Sequence, residues 1–354
     1  MSSFKGYLRV EGLYQARKLA TPYTLAVARR EPLVREITLD GGVKVRIFSP
    51  PPPGFHPLDA SAAELTKHGF PARPDHPQHI ERYRRVFDQI KNRFHYIEPT
   101  FQVNTKRRHG LTPRRDVVVQ AGNEYNLIWS GGLVFTPPEE SFRWIVGQWM
   151  VPNVNAPTEN QDYYSAIWIG IDGDGFPQSP DVCQVGVNCE VSRSGTSISR
   201  TFYPWWEWYQ ESADTGEVQI TNLPVGPGDT VSVVICTAGA GATEATVFFA
   251  NLTSGVGTSF VMEAQPGVSL VGNSAEWIVE RPTVDGQTSM LADYGEVFFS
   301  GCDAVSYTPD GSSSEVAGGG TEVYIDMNDF NTNILSHAIL VAPTVVQCVY
   351  MRSE

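Results

Sequence analysis

The chain of 354 residues has only five cysteines: Cys183, Cys189, Cys236, Cys302 and Cys348. An odd number leaves at least one thiol unpaired, and at most two disulfides can form. A dense disulfide framework is therefore excluded. None of the five makes a CxxC pair, which speaks against a zinc site. Cys183 and Cys189 are close enough in sequence to be a candidate pair. No run of about 18 apolar residues occurs, so no helical membrane span is expected. The opening MSSFKGYLRVEG has no apolar stretch of the secretory kind, which leaves the compartment open. GxSxG, HExxH and P-loop patterns are missing, and so is a convincing Asp-Thr/Ser-Gly. Beyond residue 118 there is a single histidine, His337. A Ser-His or Cys-His nucleophile pair in that part is thus poorly supported. If that part is an enzyme, its acid–base chemistry should therefore come from carboxylates.

Negative charge is in excess, with a net −13, and it is unevenly placed. Residues 1–118 carry 21 Lys+Arg against 11 Asp+Glu, a balance of +10. The rest carries 5 basic and 28 acidic residues, a balance of −23. Six of the seven histidines, His56, His68, His76, His79, His95 and His109, also fall in the first segment. Such asymmetry marks separate roles. No nucleic-acid motif accompanies the basic segment, so no nucleic-acid partner is expected. The fitting partner is the acidic part that follows.

The organisation changes along the chain in the same place. Residues 33–48 read as a hairpin, with Ile37 and Leu39 before the Asp40-Gly41 turn and Val43, Val45 and Ile47 alternating after it. Pro50 to Pro53 form a stiff connector. Ile80, Tyr83, Phe87, Ile90 and Phe94 recur at helical spacing and predict a helix over 77–95. Arg82, Arg84, Arg85, Lys91 and Arg93 make its outer face basic. The polar, basic stretch Lys106–Arg115 is the candidate boundary. This gives a basic, mixed α/β segment at 1–118 and a second part at 119–354. From about residue 125, short runs rich in Val, Ile, Phe, Trp and Tyr alternate with Gly, Pro, Asn and Asp. That texture predicts an all-β antiparallel sandwich or barrel.

Carboxylates in this second part sit beside aromatic residues. Asp172 follows Trp168-Ile169-Gly170-Ile171, and Glu207 lies within Trp205-Trp206-Glu207-Trp208-Tyr209. Glu276 and Glu280 flank Trp277-Ile278-Val279 and share one face of a strand. On spacing alone that face is either solvated or the lining of a cleft. Asp172-Gly173-Asp174-Gly175 lacks the remaining ligands of a calcium loop and reads as a turn. Asn251-Leu252-Thr253 is a sequon in form and reads here as a turn. Neither a metal nor another cofactor is expected.

Seven pieces in order give the second part a resemblance to the glutamic peptidases, the eqolisins. WSGGLVF at 129–135 resembles the family's opening Trp-Gly-Gly strand, and WMVPNV at 149–154 its Val-Pro strand end. IWIGIDGDG at 167–175 and CQVGV at 183–187 follow, the latter placing the family's catalytic glutamine on Gln184. WWEWYQE at 205–211 and FFANLTSG at 248–255 come next. AEWIVERP at 275–282 places the catalytic glutamate on Glu280. The resemblance implies a concanavalin A-like sandwich of two curved antiparallel sheets. It implies an acid-acting endopeptidase in which Glu280 takes a proton from water and the Gln184 amide stabilises the oxyanion. Asp172 and Glu207 would support that pair, with Trp168, Trp205 and Tyr209 lining the groove. It departs from the family at Tyr203, where an acidic residue is often found, and in the cysteine beside Gln184.

The expected partners are protein or peptide substrates, and the expected state is a monomer. The family suggests an extracellular setting. Family precursors carry basic prosegments, so residues 1–118 are expected to lie over the cleft as an inhibitor and to be removed within 106–124. A permanent N-terminal subdomain is the other reading of that segment. From another class, a non-catalytic carbohydrate-binding sandwich would use the 205–209 aromatics.

Overall fold

The computed structural model describes residues 34–74, 77–90, 94–110, 123–157, 160–174, 180–210, 215–308, 313–315, 321–329 and 333–351. The expected helical residues Lys91 and Arg93 and residues 111–122 of the expected removal window lie outside them. The N-terminal segment contributes β1 (Val34–Thr38), β2 (Lys44–Phe48), helix α1 (Ala62–Lys67), helix α2 (Pro77–Phe87), β3 (His95–Tyr96), β4 (Phe101–Asn104) and β5 (Arg107–Arg108). Then follow β6 (Glu124–Asn126), β7 (Trp129–Phe135), β8 (Ser141–Met150), β9 (Asp162–Ile171), β10 (Asp181–Ser194), β11 (Ser197–Gln210) and β12 (Glu217–Ile220). After these come β13 (Thr230–Thr237), β14 (Glu244–Asn251), β15 (Val256–Glu263), β16 (Ser274–Glu280), β17 (Thr283–Val284) and β18 (Gln287–Thr288). The chain ends with β19 (Glu296–Tyr307), β20 (Ser313–Glu315), β21 (Thr321–Asn328), β22 (Ile334–Ala342) and β23 (Val345–Tyr350).

Two antiparallel layers result. In the first, neighbours run β4-β12-β11-β10-β9-β16-β7-β21. In the second they run β23-β19-β8-β13-β14-β15-β2-β1. The strand β22 pairs with both β21 and β23 and joins the layers. Period-two alternation sends one side of every strand inward. Ile167, Ile169, Val185, Val187, Trp206 and Trp277 from the first layer meet Ile145, Trp149, Val233, Ile235, Phe249 and Phe260 from the second. Gly147 is required at this junction, since a Cβ there would lie 2.6 Å from Ile169 Cγ2 and 2.9 Å from the Trp277 ring. Trp277 Nε1 crosses the gap to the carbonyl of Val146 at 2.8 Å. The sandwich expected from sequence is what forms.

Four differences from the sequence reading have physical causes. Helix α2 stops at Phe87, because the chain must turn to place His95 and Tyr96 parallel to β15. Arg82 is not on a solvated face: it is 7% exposed, and its Nε lies 2.5 Å from Asp303 of β19. Tyr83, Val86 and Phe87 pack beside it on Val146, Val234 and Phe248, the outer side of the second layer. Full burial of each such side chain contributes roughly 1.5–3 kcal/mol. The missed helix α1 is opened by a capping box, Ser61 and Glu64 bonding each other's backbone N–H. Cys183 and Cys189 remain thiols. They sit six positions apart on one strand, about 20 Å at 3.3 Å per residue, which no disulfide spans. As expected, Asn251 makes a turn: its Oδ1 accepts from the N–H groups of Thr253 and Ser254.

Candidate active site

Strand register alone gathers the site on the outer face of the first layer. One row across β16, β9, β10 and β11 reads Glu276, Gly170, Gln184, Glu207. The next reads Ile278, Trp168, Gly186, Trp205, and the third Glu280, Ala166, Asn188, Tyr203. Gln184 and Glu280 thus stand diagonally, with Trp168 between them and the small residues Gly170, Gly186 and Ala166 around it. Gly186 has to be small, because a Cβ there would come within 2.5 Å of Trp168 Cβ and 2.3 Å of the Ile167 carbonyl. The row pattern lays the Trp168 ring beside Glu280, and its indole N–H donates to Glu280 Oε2 at 2.8 Å. Glu207, Glu217, Glu276, Glu280 and Gln184 are all within 2% of full burial.

What covers Glu207, Glu217, Glu280 and Gln184 is the N-terminal segment. Strand β5 pairs with β17, Arg107 opposite Val284 and Arg108 opposite Thr283, and the chain then runs down into the site. The His109 N–H donates to Glu207 Oε2 at 2.8 Å. The His109 carbonyl accepts a hydrogen bond from the Gln184 side-chain amide. Its imidazole stacks on Trp205, with centroids 3.6 Å apart and planes within 10°. Nδ1 of that ring lies 3.1 Å from Glu280 Oε2, and Nε2 lies 2.8 Å from Glu217 Oε2. The following Gly110 abuts Tyr209, whose ring would lie 2.6 Å from any Cβ placed there.

Charge is balanced inside this plug. Burial alone would lower the His109 pKa, but Glu280 and Glu217 outweigh it and push it up to about 9. The ring is therefore an imidazolium at neutral pH. Glu217 is buried as well, yet His109, Arg107 and Tyr203 hold its carboxyl below the usual range. Burial moves Glu280 the other way, above the ordinary carboxylate value, against the pull of His109 and of the Trp168 and Trp129 indoles. Glu276, two residues along the same face, is pushed well up by burial and accepts from Ser274 Oγ at 2.8 Å. The two carboxyls of β16 thus differ in environment: one faces a cation, and the other, among the described residues, does not.

Of the residues singled out from sequence, Gln184, Glu280, Glu207, Trp168 and Trp205 converge on His109, and Tyr209 meets Gly110. Asp172 serves a neighbouring task. With φ of +69° it turns the chain, and its carboxylate accepts from the N–H groups of Val271, Gly272 and Asn273 at 2.7, 2.7 and 3.0 Å. These bonds fix the loop that leads into β16. The 205–209 aromatics do not form one platform: Trp206 and Trp208 face the core, Trp205 and Tyr209 the site. Sequence reading missed His109, Glu217 and Asn188, because the contacts from His109 to Glu217 and Glu280 bridge 108 and 171 positions. The one available signal was the basic run Lys106-Arg107-Arg108-His109 beside a strongly acidic partner.

The family model for the Peptidase A4 family matches residues 128–350, more than half of the chain. This chain belongs to the peptidase A4 family. It is 25% identical over 200 residues to aspergillopepsin-2 of Aspergillus niger, over 52% of this chain and 66% of that protein. The A4-family sandwich also aligns with the crystal structure of scytalido-glutamic peptidase bound to a transition state analog inhibitor. That alignment has a TM-score of 0.50 at 20% identity, covering 64% of this chain and 98% of the other. It extends the agreement to the fold. The family match begins at residue 128, so the segment carrying His109 lies outside it.

Proposed function

We propose that this A4-family chain is an acid-acting, pepstatin-insensitive endopeptidase with Gln184 and Glu280 as its catalytic pair, and that residues 107–110 hold it latent. The observation that carries the reading is a main-chain carbonyl, that of His109, lying on the Gln184 amide in the pocket of Glu280. A substrate carbonyl laid the same way receives an N–H donor whose charge state does not change with pH. The Glu280 carboxylate takes a proton from water, whose oxygen bonds to the carbonyl carbon. As the C–N bond breaks, Glu280 returns that proton to the leaving amine. Glu207, which accepts the N–H of the residue before the bond, orients the peptide.

Latency follows from the same contacts. The imidazolium of His109 occupies Glu280 and Trp205 at once, so no other peptide can reach the pair. The aromatics that a carbohydrate-binding reading would need are divided between core and site, so the peptidase reading is preferred. The test is digestion of a denatured protein near pH 4 and at pH 7, with and without pepstatin, by wild type, Glu280→Gln and Gln184→Ala. Acid cleavage that survives pepstatin and disappears in both variants is the expected result. Equal cleavage by Glu280→Gln would refute the assignment.

A further inference from the structure

The plug shows more than blockage: its side chains fill pockets of one charge. Glu217 is completely buried, and four donors converge on it. Asn188 Nδ2 lies 2.5 Å and His109 Nε2 2.8 Å from its Oε2. The Tyr203 hydroxyl and Asn104 Nδ2 each lie 2.8 Å from its Oε1. Asn188 belongs to β10, the strand that carries Gln184, and Tyr203 to the neighbouring β11. Two residues before His109, Arg107 lies 2.8 Å from Glu190 and 4.4 Å above the Tyr164 ring. The Tyr203 hydroxyl also lies 2.8 Å from Glu190 Oε1, so one side chain ties the two acidic pockets together.

The backbone gives these pockets an address. Because the His109 carbonyl meets Gln184, His109 stands where the residue on the acyl side of a scissile bond would stand. Arg107 stands two residues earlier. Its stretch is added as a strand to β17, a way of holding peptide main chain that ignores side-chain identity. Selection is therefore left to the pockets. A buried carboxylate without a cation is costly, so a neutral or acidic side chain over Glu217 forfeits what His109 supplies.

We propose that Glu217 is a specificity-determining residue that selects peptides with a cationic side chain directly before the scissile bond, with Glu190 favouring a second cation two residues earlier. This rests on the peptidase reading given above. Lysine or arginine before the bond can reach Glu217 while leaving Glu280 to the water. Protonated histidine also binds Glu280, so histidine peptides are expected to bind well and turn over slowly.

The test uses the full-length chain with His109→Gly, which empties the pocket, and the same chain also carrying Glu217→Gln. Quenched peptides differing only in the residue before the bond (Arg, Lys, His, Leu) are compared by kcat/KM. Binding of acetyl-Arg-Arg-Arg-amide and acetyl-Arg-Arg-Leu-amide is followed by calorimetry. Ratios within one protein do not depend on how much of it is folded. The expected Arg:Leu ratio is at least 10 with Glu217 present and falls at least fivefold with Glu217→Gln, in cleavage and in binding alike. Should Glu217→Gln fail to fold, Glu217→Asp is expected to keep part of the preference. An Arg:Leu ratio unchanged by Glu217 overturns the proposal. If neither protein cleaves but Arg binding still depends on Glu217, the subsite stands and the peptidase reading falls.

Discussion

Replacing His109 by alanine should unlock the intact chain, and the size of the effect can be worked out from its surroundings. Glu217 on β12 and Glu280 on β16 face the imidazole nitrogens, Trp205 on β11 stacks on the ring, Glu207 on β11 and Gln184 on β10 hold the His109 main chain, and Glu190 on β10 is more distant. Against the opposing effect of burial, Glu280 and Glu217 raise the ring from 6.5 to about 9. A difference of that size corresponds to about 3 kcal/mol, or roughly a hundredfold, in favour of the plugged and protonated state. For a raised histidine this contribution is complete below its free value near 6.5 and fades as pH rises through about 9. Glu217, with its carboxyl lowered, contributes above its free value of 4.5 and ceases to as pH falls through the lowered one. Glu280, raised, opposes the plug once ionised. Latency in wild type should thus be greatest between about 4.5 and 6.5, giving way in acid as Glu217 protonates and weakening in base as His109 loses its proton. The assay is the initial rate on a quenched peptide at pH 6, with mass spectrometry confirming that the chain is uncut. Intact His109→Ala should run about a hundredfold faster than intact wild type, and His109→Gln should fall between. An intact His109→Ala chain as silent as wild type, though folded, would refute the reasoning.

Four other outcomes are expected. Gln184→Ala should lower kcat about 10²–10³-fold with little change in melting temperature, as expected for loss of one oxyanion donor. Incubation in acid should give a new N-terminus at Gly110, read by mass spectrometry; a cut outside 106–124 would contradict the placement of the His109 carbonyl. Arg82→Ala leaves Asp303 buried without its cation and should destabilise the fold by about 3–5 kcal/mol, measured by denaturant melts. Gly186→Ala should cost about 1–3 kcal/mol in the same melts, because the added methyl meets Trp168 and the Ile167 carbonyl.

The sandwich was legible because strands announce themselves locally. Alternation in Glu276-Trp277-Ile278-Val279-Glu280 sent Trp277 to the core and the two glutamates to the other face, as the register shows. The turn after Leu39 was equally local, with Gly41 at φ of +74°. What stayed hidden depends on contacts across long separations. Nothing near Arg82 says that Asp303 will meet it. His109 lies in a stretch whose composition reads as a linker, and its fate is decided by Glu217 and Glu280. Tyr203 looked like a departure from the family pattern. In the fold its hydroxyl lies 2.8 Å from both Glu190 and Glu217 and offers one proton between them, which a carboxylate at that position could not do while ionised.

The way the N-terminal segment is attached bears on what a single cut could achieve. Strand β2 pairs with β15, β4 with β12, and α2 is anchored through Arg82, all independently of the bond between His109 and Gly110. Severing that bond would leave a two-chain complex in which the fragment stays tethered and its tip remains at high effective concentration over the pair. The cut also creates a new carboxylate on His109, set among Glu207, Glu280 and Glu217. Above the range where these groups protonate, that fourth negative charge repels its surroundings and the tip lifts away. The reaction would thus manufacture its own release signal, and shedding the remainder of the fragment would become a separate, slower event.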